Sequence, residues 1–517
     1  MPDLQFFGRR KIFSTCSVID ETNVIEEVNK ALMFHFCNLA EEDYLYWYRR
    51  GICPILERKK EIRPEICNKV VIPNADYVCT FKNGYFLTDS ISYIARKAEN
   101  ADKVAEYNEY IHLSGRDIAD NQTVDNFHTM GLGVEYVEPD RGESTSVPYH
   151  VYALDPRSAF VVYSMRPGNP PLMGVNMVVE TRVIDDVPKT FCKIDVFTQT
   201  NVYRLSGYLT GNYMTERPSM SVQGVADSID STEINVIGEI PIVEFVYNGN
   251  RMSAFENAIT IMDAINLAES NRLDGDEQAV QQLCVAYNCN FEEGTTANTI
   301  RQAGMIVLKS TSENKADFKI LDSQLDQTAT QTMIDDLYDQ MLEKCGVPSS
   351  TRDAASTSDN VGAVFLRNGW GAADTACRNT EDYFRESNRL MDKIILAILK
   401  RKGFVLDPSD IDIVIHRADM SNMVNKTQAA MNLKELGLSP ELVLKKTGIS
   451  SDPIADVNAS KKYIDIHWAA PQMYWEKGDK SQSGSDTWNQ LERKPGEEPK
   501  AEPSQNTAPD PMSGNEN

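Results

Sequence analysis

The sequence predicts an α+β protein of several packed units, and three observations carry that reading. Short apolar runs with strand character recur between positions 149 and 245, too many for an all-helical chain. Two long amphipathic patterns, over 330–345 and 362–402, are separated by small and polar residues from Gly346 to Asn360. Finally, 517 residues with 41% hydrophobic and 25% charged side chains can supply more than one core. A polar break between two stiff helices suggests a loop held out from a rigid stem, so what that loop touches is the functional question.

Val28, Leu32, Phe36, Leu39 and Tyr44 recur at helical spacing and predict a packed helix over 25–48. Basic, proline-containing sequence follows. From Val70 the pattern reads as strand, with Asn83-Gly84 between apolar runs as a turn signal. Helices are expected over 98–113 and 117–130. The runs 149–154 and 159–163 flank Asp155-Pro156-Arg157 as strand, turn and strand, and 175–183, 191–198 and 203–208 extend an antiparallel sheet region that ends at the apolar strand 238–245. Ser253 and Glu256 form a capping-box pattern opening a helix whose apolar stripe is Phe255, Ile259, Met262, Ile265 and Leu273.

From 283 to 321 the chain reads as a small α/β insertion, with strands at 283–287, 305–309 and 318–321. The helix after it sets Ile334, Leu337, Tyr338, Met341, Leu342 and Cys345 on one face. The 362–402 pattern, if unbroken, would extend about 60 Å at about 1.5 Å per residue. Its polar centre, Arg378-Asn379-Thr380-Glu381-Asp382, fits a subunit lattice better than a single core, and Gly369 and Gly371 permit a bend. Gly403 supplies a C-cap, 411–415 one more strand, and helices are expected over 425–436 and 440–446, the second opened by Ser439-Pro440-Glu441. After Glu476 the sequence loses periodicity and turns to Gly, Ser, Pro, Lys and Glu, so the tail is expected to be disordered.

A formal net charge of −24 opposes tight nucleic-acid binding, which needs cations to neutralise phosphates, yet it suits a surface that encloses a polyanion without gripping it. No apolar run approaches the roughly 20 residues of a membrane helix, and the N-terminus lacks a basic region followed by an apolar one. The ten cysteines are scattered singly, and the nearest pair, Cys284 and Cys289, reads as structural. They are expected to be reduced thiols of a cytosolic compartment. Phosphate-binding loops, nucleophile elbows and zinc-protease motifs are absent, so an ATP-driven motor and the usual hydrolases are disfavoured. His35, His112, His128, His150, His416 and His467 share no motif and read as structural or surface residues. The acidic pairs Asp335-Asp336 and Glu381-Asp382 read as solvated faces, because neighbours on a helix point in different directions. Trp370 reads as a packing residue. No catalytic residue, metal or cofactor is expected.

Several segments carry a resemblance. Asn74-Ala75-Asp76-Tyr77 with Gly84-Tyr85, the run from Gly238 to Phe245 followed by Asn248, and Ile261-Met262-Asp263-Ala264-Ile265-Asn266-Leu267-Ala268-Glu269-Ser270 are the first of them. Cys345-Gly346-Val347-Pro348 and Leu436-Gly437-Leu438-Ser439-Pro440-Glu441 with Asp452-Pro453 follow in order. Their colinearity over roughly 70–460 resembles the portal proteins of tailed bacteriophages, in the Gram-positive-siphophage-like portal family. One departure is Val361, where that family has Ser. The N-terminal 60 residues and the tail match nothing in it.

The resemblance implies a ring, commonly a dodecamer, at one capsid vertex, assembled in the host cytoplasm. Double-stranded DNA would be packaged, retained and ejected through it. It implies a portal fold in which 1–252 hold the N-terminal region and wing, 253–280 and 326–345 the stem helices, and 281–325 the clip. On the same reading 346–361 is the tunnel loop, 362–422 the long wing helix and returning strand, 423–476 the crown and 477–517 a tail. Pro348, Ser349, Ser350, Thr351, Arg352, Asp353, Asp359 and Asn360 would face DNA; Lys309, Lys315 and Lys319 are candidate clip contacts, and Ile259, Met262, Ile265, Ile334, Leu337 and Met341 pack the stem. Implied partners are the terminase large subunit, head-tail adaptors, and the major capsid and scaffolding proteins. The other readings are a ring-forming tail or baseplate component and, from a different class, a metal-dependent nuclease.

Overall fold

A computed structural model describes residues 8–61, 63–140, 147–184, 187–208, 226–280, 283–287, 317–321, 327–349, 369–417, 423–450 and 453–468. The chain begins with β1 (Ile12–Ser14), α1 (Val24–Arg49) and α2 (Asn74–Phe86), then β2 (Ser92–Ala95), α3 (Ala101–Leu113) and α4 (Arg116–Met130). A β-rich stretch follows: β3 (Leu132–Pro139), β4 (Tyr149–Leu154), β5 (Ala159–Ser164), β6 (Pro171–Ile184), β7 (Val187–Phe197), β8 (Asn201–Tyr208), β9 (Ser228–Ile234) and β10 (Ile242–Val246). Next come α5 (Ile259–Val280), β11 (Leu283–Tyr287), β12 (Asp317–Leu321), α6 (Gln327–Cys345) and α7 (Trp370–Arg401). The described chain ends with β13 (Ile411–Val414), α8 (Met423–Glu435), α9 (Pro440–Thr447) and α10 (Pro453–Trp468). This is the mixed α+β architecture expected.

The largest sheet has strand order β1-β5-β6-β7-β8-β9, with β1 parallel to β5 and the remaining pairs antiparallel. Its long hairpins follow period-two chemistry: Met173, Val175 and Met177 on β6 and Cys192, Ile194 and Val196 on β7 all turn into one core, closed by Val24, Val28, Ala31 and Leu32 of α1. A second sheet, β10-β3-β4, packs Leu132, Val134 and Ile242 against Ala159, Val161 and Phe197 of the first. Two small sheets, β13-β2 and β11-β12, complete the described strands. The helical core gathers Phe86, Tyr107, Phe127, Phe384, Met391, Ile395 and Leu399.

Four expectations need correction. Residues 74–86 form helix α2, not strands around a turn. Ala75, Val78, Cys79 and Phe86 recur at helical spacing and are buried, and the Asn83 side chain is drawn into tertiary bonds with Asp125 and His128. Glu381, read as part of a solvated face, is buried, with Arg417 at 2.8 Å from it, whereas the strand, turn and strand over 149–163 are present, with β4 joining β3 and β5 joining β6, so that Asp155-Pro156-Arg157 hands the chain from one sheet to the other. The 362–402 helix is not continuous, because Gly369 sits at φ 81° in the left-handed region and α7 begins after it. It spans about 48 Å at about 1.5 Å per residue. Leu273, assigned to the buried stripe of α5, is 46% exposed. Four strands, β1, β2, β3 and β9, and the helix α10 were not legible from pattern.

Part of the polar centre of α7 is bonded within the chain, while Arg378, Asn379 and Asp382 are exposed. Thr380 and Glu381 are buried, Arg417 meets Glu381 at 2.8 Å and Asp374 at 2.6 Å, and Arg378 meets Asp374 at 2.9 Å. Gly403 follows a Schellman ending, with Phe404 N–H bonded to Leu399 O and Gly403 N–H to Lys400 O. Later in the chain Ser439 caps α9 by accepting from Leu442 N–H.

Candidate functional site

The polar loop singled out by sequence springs from one point. Helix α6 closes with Gly346 at φ 64°, Val347 N–H on Leu342 O at 2.9 Å and Gly346 N–H on Glu343 O at 3.1 Å, a Schellman ending. Pro348 and Ser349 then run beside the start of α7: a Cβ placed on Gly369 would lie 3.8 Å from Pro348 Cα. The described residues on either side of 350–368 therefore lie against each other. Ser349 is buried and its Oγ donates to Asp339 Oδ1 at 2.8 Å, tying the exit back to α6. Ser350, Thr351, Arg352, Asp353, Asp359 and Asn360 lie outside the described residues.

Under this root sits a small cavity of about 20 Å³, enough for roughly one water. Phe81, Lys82, Tyr85, His128, Tyr247 and Gly346 line it together with the second and third turns of α7. Trp370 packs on Phe81 and Tyr85, with ring centres 5.9 and 6.0 Å away, as a packing residue should. Lys82 is 8% exposed, and its ammonium stands over the Tyr247 ring at 5.6 Å. His128 is held neutral, its pKa driven well down by burial and by the charges of Lys82 and Arg49.

The two helices below the root form one cluster. Ile259, Met262 and Ile265 of α5 and Ile334 and Met341 of α6 are buried in it, Leu337 packs at its edge, and Leu45, Tyr48, Val78 and Cys79 close it from α1 and α2. The α5 cap is half of a capping box: Glu256 accepts the Ser253 N–H at 2.8 Å, while the Ser253 hydroxyl is buried without a partner.

A polar stripe on α5 was not recognised from sequence. Asn266 Oδ1 accepts Ile72 N–H at 2.9 Å, Ser270 Oγ accepts Val70 N–H at 2.9 Å and Asp274 Oδ1 accepts Asn68 N–H at 2.7 Å. Residues spaced by four thus hydrogen-bond every second residue of an extended segment lying along the helix. The spacing was visible in the sequence; its partner was not.

Of the lysines predicted for the insertion, Lys319 lies on β12, where it pairs in register with Val285 of β11. Lys309 and Lys315 fall outside the described residues, as do the expected strand 305–309 and the tail. Among the described residues no group of three His, Cys, Asp or Glu is placed to hold a metal ion, and no helix is long and apolar enough to cross a membrane.

The family model described as phage portal protein, SPP1 Gp6-like, matches residues 39–465. The chain belongs to the phage portal protein family. No curated protein matches the chain at a significant level. Family membership gives it a phage portal role and with it a place in the virion capsid. The match starts inside α1, so β1 and the first half of α1 lie outside it although they complete the six-stranded sheet and its core. Arg9, before β1, is buried, bonded to Met130 O at 3.1 Å and Glu256 Oε1 at 2.6 Å. That contact ties the N-terminal arm to the start of α5.

Proposed function

We propose that this portal protein assembles as a ring, of twelve copies, whose channel passes double-stranded DNA during packaging, retention and ejection, with 350–360 as the loop that meets the DNA. Family membership supports the ring, and the paired loop ends at Pro348 and Gly369, above two tightly packed helices, are the observation that supports the loop assignment. In this reading α5 and α6 are the stem, the sheets are the wing, 281–325 are the clip, and α8 to α10 belong to the crown. A loop rooted on a rigid pair of helices is placed with precision while its polar residues stay free of the core.

The acidic balance of the chain fits the same role, since a conduit that gripped phosphate would stall its cargo. The clip docks the terminase large subunit during packaging and head-tail adaptors afterwards, while the major capsid and scaffolding proteins surround the ring. The protein supplies no chemistry of its own, and the energy of packaging comes from the terminase. Shortening the loop by removing 350–358 is expected to leave ring assembly intact, as seen by negative-stain microscopy, and to lower packaged DNA per particle. Wild-type genome length and yield in that deletion would remove the loop assignment, and a monomer in the unmodified protein would remove the ring.

A further inference from the structure

The cleft between the two sheets has a chemistry that the portal reading does not use. It is open, of about 560 Å³, and is floored by apolar groups, with the rings of Tyr136 and Phe197 centred 5.2 Å apart. Among the described residues its charged lining is Glu138, Asp140, Asp195 and Glu233 against the one cation Arg204. That guanidinium is shared: it lies 2.8 Å from Glu233 and 3.9 Å from Asp195. Burial pushes the Asp195 carboxyl up despite Arg204.

One wall of the cleft is β9, the outermost strand of the six-stranded sheet, whose one strand neighbour among the described residues is β8. The other backbone edge of β9 has no strand against it there. The end of β9 is also conspicuously uncovered: Ile234 is 79% and Val236 56% exposed beside the cleft. Open edges are templates for strand addition, and natural proteins protect them with charged side chains, proline, bulges or cover. This edge carries acids, Asp230 and Glu233, and its pairing with β8 shifts register at Arg204 and Leu205. Pairing two copies edge to edge would bring these acids against each other, which disfavours self-association and selects a cationic partner.

We propose that the β9 edge and the acidic cleft beside it form a docking site for an extended, lysine- or arginine-rich segment of another polypeptide. The segment adds to the sheet as a seventh strand, with one alternate set of side chains, apolar, beside Ile234 and the other, cationic, beside Glu233 at the mouth of the acidic cleft. Main-chain hydrogen bonds give such a site affinity, and alternate side chains give it specificity. The inference stands on the cleft alone and is independent of the ring.

The probe is a fluorescent hexapeptide alternating lysine and valine, titrated into the full chain and followed by anisotropy. Saturable binding is expected, with the D195N/E233Q pair weakening it about tenfold, the equivalent of about 1.4 kcal/mol. Ile234→Ser should weaken it too. The D335N/D336N pair, which removes the same charge from α6, is expected to leave affinity unchanged, with circular dichroism checking that each variant is folded. N-methylation of one alternating set of peptide amides should abolish binding and of the other set should not, as strand addition requires. The proposal is overturned by non-saturable binding, by equal affinity for a glutamate-valine peptide, by equal loss in the α6 pair, or by indifference to both methylation patterns.

Discussion

Helices α5 and α7 both bury polar side chains, and they solve the resulting problem in opposite ways. On α5 the buried acceptors Asn266, Ser270 and Asp274 are aimed at backbone N–H groups of 68–72, and Asp274 alone adds cations, Lys60 and Arg58, each at 3.0 Å. On α7, Asn388 and Asp392 meet a charged cluster. Arg116, wholly buried, donates to Asn388 and lies 3.4 Å from Asp392, while Tyr93 and Tyr107 donate to the same Asp392 oxygen at 2.5 and 2.9 Å. Asp120 stands 3.5 Å from Arg116, and Glu135 is buried nearby with both oxygens lacking hydrogen-bond partners. Three carboxyls thus crowd one guanidinium, and the surplus must be carried as protons. A ladder to backbone spreads its stabilisation over many modest bonds, whereas a charge cluster makes each member depend on the others.

The comparison breaks most sharply at Arg116. Arg116→Leu leaves the carboxyls without their counter-charge, and a loss of about 3–5 kcal/mol is expected from urea unfolding. A loss as small as that of a surface substitution would mean that the cluster is already fully protonated and that the guanidinium is dispensable.

The next effect is in pH. Burial raises the Asp120 carboxyl to about 6 against the pull of Arg116, and burial together with the Asp120 charge holds Glu135 well above its ordinary value. Groups whose folded pKa exceeds the unfolded one stabilise fully below the unfolded value and lose that contribution as pH rises through the folded one. The cluster's contribution to the urea midpoint should therefore fall from about pH 4 through about pH 6 and onward, and Glu135→Gln, which cannot ionise, should flatten the slope. A midpoint rising over that interval in the unmodified protein would contradict the protonated cluster.

On α5 the sign reverses and the effects shrink. Burial works to raise Asp274, but the Asn68 N–H and side chain with Lys60 and Arg58 outweigh it, and the carboxyl titrates below the usual range. Its contribution is present above about pH 4 and is lost on acidification through the lowered value, so Asp274→Asn should remove an acid-limb loss while leaving the alkaline slope intact. Ser270→Ala is expected to cost about 1 kcal/mol in the same unfolding assay. A loss as large as that of Arg116→Leu would erase the distinction between the two helices.

These two regions also mark what could be read from the chain beforehand. The apolar stripe of α6, the Gly346 ending and the Ser439 cap are local signals, each contained within a few turns of one helix, and the first two placed the end of α6 at the loop root. The 74–86 stretch shows the limit of the same method. Asn83-Gly84 is a strong hairpin signal on its own, but here Asn83 is spent on Asp125 and His128, contacts about forty residues away in sequence that no local pattern contains. The β9 edge was missed for a related reason: the only apolar residues of SIDSTEI are Ile229 and Ile234, too few and wrongly spaced to show an alternation.

What the sequence determined by itself was the set of strongly amphipathic helices, the polar break between two of them, and the motifs resembling portals, because these depend on residues close together in the chain. What only the tertiary structure decided was where the polar residues go. Nothing local distinguishes Ser270, bonded to a backbone N–H, from Asp392, held in a charged cluster; each is a polar residue in a helix. Their partners lie 200 and 299 positions away, and the cost of burying an unpaired polar group makes the fold bring those partners together.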